Sequence, residues 1–205
     1  MNSQPEQIDE VLLSVRKAYR LLYDYQQWVL DAIKFIGSQL DIDFFHYGHS
    51  LWCDRLKTSV TLDQSSWAWL PMTWCEFEFV KELANGERFS LSFLVLNDTG
   101  LIENEAAVWD KTNTFAPAKE SSTKFAFVFR PTDWKQIAFT EERETMIAFF
   151  KDGLLPHQLN AAGIYGKCYD LSCLASPDQV DKVIDDLIDF AKKIPLPLER
   201  IKKAQ

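Results

Sequence analysis

Apolar side chains recur at Val11, Val15, Ala18, Leu22, Tyr25, Val29, Ala32, Ile36 and Leu40, in steps of three and four. That spacing keeps one stripe in line along an α-helix. Ser3 and Glu6 form a capping-box pair, with Pro5 inside the first turn, so the helix is expected to start there. At about 1.5 Å per residue, some 32 residues would extend roughly 48 Å. Leu12, Tyr19, Tyr23, Trp28, Leu30 and Phe35 lie off the stripe. A helix apolar on more than one side is either sandwiched in a core or half-covered by a partner. Gly37 is expected to loosen its last turn. Residues 43–66 show no clean period and are expected to be loop with a short helical turn.

The period then changes. Glu76-Phe77-Glu78-Phe79 alternates strictly, and Asn85-Gly86 marks a hairpin. A two-residue loop would place Glu78 opposite Phe93 and mix carboxylates with apolar side chains. A three-residue loop, Ala84 to Gly86 with Gly86 left-handed and a bulge, sets Cys75, Phe77 and Phe79 opposite Val95, Phe93 and Leu91, and Glu82 opposite Arg88. One slip in register flips every side chain, so the consistent pairing is expected. Residues 97–123 form the longest irregular segment. "KFAFVFR", Lys124 to Arg130, is a third strand with Phe125, Phe127 and Phe129 on one face; a helix follows from Thr140 to about Lys151. Residues 163–174 are a fourth strand, and Ser176-Pro177-Asp178-Gln179 opens a last helix with Val180, Val183, Ile184, Leu187 and Ala191 on one face. The expected fold is α+β: one domain over residues 1–205, in the order α-β-β-β-α-β-α. A mainly antiparallel sheet of four or more strands is packed by the long amino-terminal helix and the carboxy-terminal helix.

Charge narrows the functions. The net charge is −8, which disfavours phosphate backbones and anionic lipid, so neither nucleic acid nor membrane is an expected partner. An acidic field favours basic partners. Cys53, Cys75, Cys168 and Cys173 contain no C-x-x-C, and four cysteines in 205 residues are no disulfide framework. "MNSQPEQIDE" lacks a basic, then apolar, leader pattern, and no apolar run nears about 20 residues, so a cytoplasmic location is expected.

The candidate chemistry is sparse. Glu76 and Glu78 share the hairpin face opposite the phenylalanines, with Ser90 and Ser92 across from them. Two carboxylates about 7 Å apart on a strand could grip a basic side chain, although the plain reading is a solvated sheet face. Trp67 and Trp69 point the same way before Pro71, either as a lid on the core or as anchors for a partner. His46, His49 and Cys53 have a spacing of three and four that would align on a helix as zinc ligands, yet Gly48 weakens a helix there and no fourth ligand follows. Neither a G-x-S-x-G elbow nor a glycine-rich phosphate loop is present. The element order also resembles that of restriction-endonuclease-like nucleases. That resemblance implies an acid on the second strand and Glu-x-Lys on the third holding a divalent metal. Asp98 and Glu103 are then the metal candidates, but the third strand carries no Glu-x-Lys. The leading expectation is a non-catalytic acidic interaction module without a cofactor: an inhibitor, an immunity-type factor or an assembly subunit. It would bind a basic protein partner through Glu76, Glu78, Trp67 and Trp69, or self-associate through the first helix. The alternative is a metal-dependent hydrolase using Asp98, Glu103 and neighbouring carboxylates.

Overall fold

The computed structural model of the chain describes residues 5–48, 74–83, 86, 88–104, 114–131, 143–154, 163–194 and 198. Helix α1 (Pro5–Leu40) has 36 residues. Asp41 ends it in the left-handed conformation, φ 53°, and the Ile42 N–H returns to the Gly37 carbonyl at 3.2 Å. Lys81 donates to the Leu40 carbonyl at 3.1 Å, placing a cation at the helix's negative end.

Strands β1 (Asp43–Gly48), β2 (Trp74–Glu82), β3 (Arg88–Leu96), β4 (Lys124–Pro131) and β5 (Tyr165–Asp170) follow, with the short helix α2 (Gly100–Glu103) after β3 and α3 (Arg143–Asp152) after β4. A 3₁₀ turn (Leu171–Leu174) leads to α4 (Pro177–Lys192). Ser176 caps α4 by accepting from the Gln179 N–H, as its position before Pro177 predicts. The five strands form an antiparallel meander in chain order. The expected α+β architecture is therefore present, with one more strand than the sequence pattern revealed. Residues 43–48 were expected to be loop and helical turn; they are strand β1.

The hairpin register is the consistent one: Cys75 pairs with Val95, Phe77 with Phe93, Phe79 with Leu91 and Glu82 with Arg88. Gly86 has φ 82°, a left-handed conformation that a side chain would strain. The odd-numbered side chains of β2, β3 and β4 fill the main core together with Val29, Ile33 and Ile36 of α1 and Val183, Ile184 and Leu187 of α4. Phe93 lies at the centre, edge-on to Phe79 at 4.9 Å and to Phe127 at 5.0 Å between ring centroids. Gly37 serves close approach rather than loosening: a Cβ there would sit 2.9 Å from the Phe79 ring.

The opposite face of the sheet departs from expectation. It is not a solvated face. Leu94, Leu96, Ala126 and Val128 pack with Ile102, Phe149, Phe150 and Ile164 in a second core, and Ser90, Ser92 and Arg130 are also buried. Central strands covered on both sides lose the in–out alternation of burial even though side-chain parity holds.

Candidate functional site

Two places merit attention: the second face of the sheet, and the amino-terminal half of α1.

On the second face, Glu76 is half-buried and forms an ion pair with Arg130, whose side chain is only 6% exposed. Register explains the meeting. Glu76 stands opposite Leu94 and Arg130 opposite Ser90, so the line between them crosses β3 at Ser92. Glu78 is half-buried and stands opposite Ser92. Ser90, expected across from the glutamates, instead pairs with Val80. The basic group that Glu76 meets here thus belongs to its own chain. Sequence reasoning missed Arg130, although its even number places it in the row of Ala126 and Val128. Ser92 is fully buried, and among the described residues its hydroxyl has no hydrogen-bond partner.

Asp98 and Glu103 bracket α2. Asp98 Oδ1 accepts from the Gly100 N–H at 2.8 Å, and Glu103 Oε1 accepts from the Thr99 hydroxyl at 2.5 Å. Thr99 Oγ1 also accepts from the Ser122 N–H at 2.8 Å, which ties the start of the 97–123 segment to its end. Both carboxylates therefore have local turn partners. Among the described residues no three His, Cys, Asp or Glu side chains gather as a metal site requires. His46 lies in strand β1 rather than on a helix; His49, Cys53, Trp67 and Trp69 lie outside the described residues.

Cys75 and Cys168 are poor nucleophiles by position. Cys75 is buried, and burial pushes the Cys168 thiol up to about 12, far from the thiolate that chemistry at neutral pH needs. Tyr25 is likewise raised by burial, and its hydroxyl donates to Asn97 Oδ1 at 2.6 Å, fastening α1 to the end of β3. On α4, Asp186 Oδ2 accepts from both Lys167 Nζ and the Tyr169 hydroxyl of β5 at 2.6 Å. Partial burial opposes the Asp186 charge, but these hydrogen bonds and the nearby lysines hold its carboxyl below the usual range.

The second place is larger. From Gln26 to Leu40 the stripe of α1 is covered, with Ile33, Ile36 and Leu40 fully buried. From Ile8 to Asp24 every residue is exposed, including Ile8, Val11, Leu12, Val15, Tyr19 and Leu22. The stripe itself does not change; its burial does. Residues 8–24, the exposed arm of α1, span roughly 25 Å at 1.5 Å per residue. Contiguous apolar surface of this kind marks contact sites on soluble proteins. No described helix is long and apolar enough to cross a membrane.

The family model named PM0109 matches residues 5–195, so the chain belongs to the PM0109 family. It is similar to the uncharacterized protein PM0109 of Pasteurella multocida (strain Pm70), with 23% identity over 199 residues, covering 91% of this chain and 95% of that protein. No solved structure matches the chain. The family match spans the arm, the sheet and α4 alike.

Proposed function

We propose that the chain is a non-catalytic protein-interaction module that meets its partner through the exposed half of α1. The observation that supports this most is the continuity of one apolar stripe from the core, at Val29 and Ile36, onto the bare arm at Val15 and Leu22. Covering such a stripe removes apolar area from water, at about 25 cal/mol per Å². Roles that fit are an inhibitor, an immunity-type factor or a subunit of a larger assembly. Net −8 speeds encounter with a basic partner. The Glu76 carboxylate, already paired with Arg130, adds less to such contact than its sequence position suggests.

The test uses the immobilised intact chain and its Val15→Asp variant against lysate of the source organism. A protein retained by the parent and lost with the variant supports the reading. Equal recovery from both, or none from either, contradicts it.

A further inference from the structure

We draw no further inference here: the strongest candidate, the exposed apolar surface of α1 between Ile8 and Leu22, is the contact face already proposed, and nothing in the structure shows what covers it.

Discussion

Glu76 and Arg130 meet across an intervening strand, joining β2 to β4 over Ser92 on the buried face of the sheet. The two ends of the pair differ in exposure, 21% for the Glu76 side chain against 6% for Arg130. Glu76→Ala therefore takes the facing carboxylate from a buried guanidinium, and is expected to destabilise by about 3–5 kcal/mol. Arg130→Met leaves a glutamate that water reaches, and is expected to cost less. The double variant Glu76→Leu/Arg130→Met should recover most of the loss. Denaturant midpoints of the three variants and the parent measure this cycle, and equal costs at the two ends would contradict the burial argument.

Ser92 lies beneath that pair with its hydroxyl buried and, among the described residues, without a hydrogen-bond partner. Ser92→Ala removes an unsatisfied group while keeping the space over β3 open. It is expected to be neutral or stabilising by up to about 1 kcal/mol. Ser92→Leu, which fills that space, is expected to destabilise. Thermal melts of both variants decide it.

In an exposed helix, Gly to Ala gains up to about 1 kcal/mol. At Gly37 the added methyl meets the Phe79 ring at 2.9 Å. Overpacking of about 1–3 kcal/mol then outweighs the helix gain, so Gly37→Ala is expected to lower stability. A higher melting temperature would show that α1 stands further from β2 than described.

Asp186 accepts hydrogen bonds from Lys167 and Tyr169, and its carboxyl lies below the usual range. A carboxylate with a depressed folded-state value contributes stability above its unfolded value, near 3.9, and loses it as pH falls through the folded one. Asp186→Asn is therefore expected to be less stable than the parent at pH 7, with the gap closing below about pH 4. A gap that stays constant between pH 7 and pH 3 would remove the carboxylate's charge from the explanation.

Much of the fold was legible because parity and period survive folding. Phe77 and Phe79 alternate with glutamates, and Gly86 takes the left-handed turn, so the hairpin register followed from pattern alone. Strand β1 did not, and its pairing explains why. The register shifts between Phe44 and His46, so Phe45 is an extra residue that breaks the two-residue period a strand is recognised by. The buried second face was illegible for another reason. Glu76, Ser90, Ser92 and Arg130 look like solvent-facing positions individually, and only the three-strand register brings Glu76 to Arg130. The arm shows a third limit: the stripe from Val11 to Leu40 is uniform, so nothing in it says where the core beneath it stops.

Val15 and Val29 stand on the same stripe of the same helix, one 43% exposed and the other 2%. Unfolding free energies of Val15→Asp and Val29→Asp, measured by denaturant in dilute solution, therefore test the division of α1 into arm and core most directly. Val15→Asp is expected to change stability by less than about 0.5 kcal/mol, and Val29→Asp to cost more than about 4 kcal/mol. Comparable losses at the two positions would mean that the chain's own fold covers both, and the arm would cease to be a contact surface.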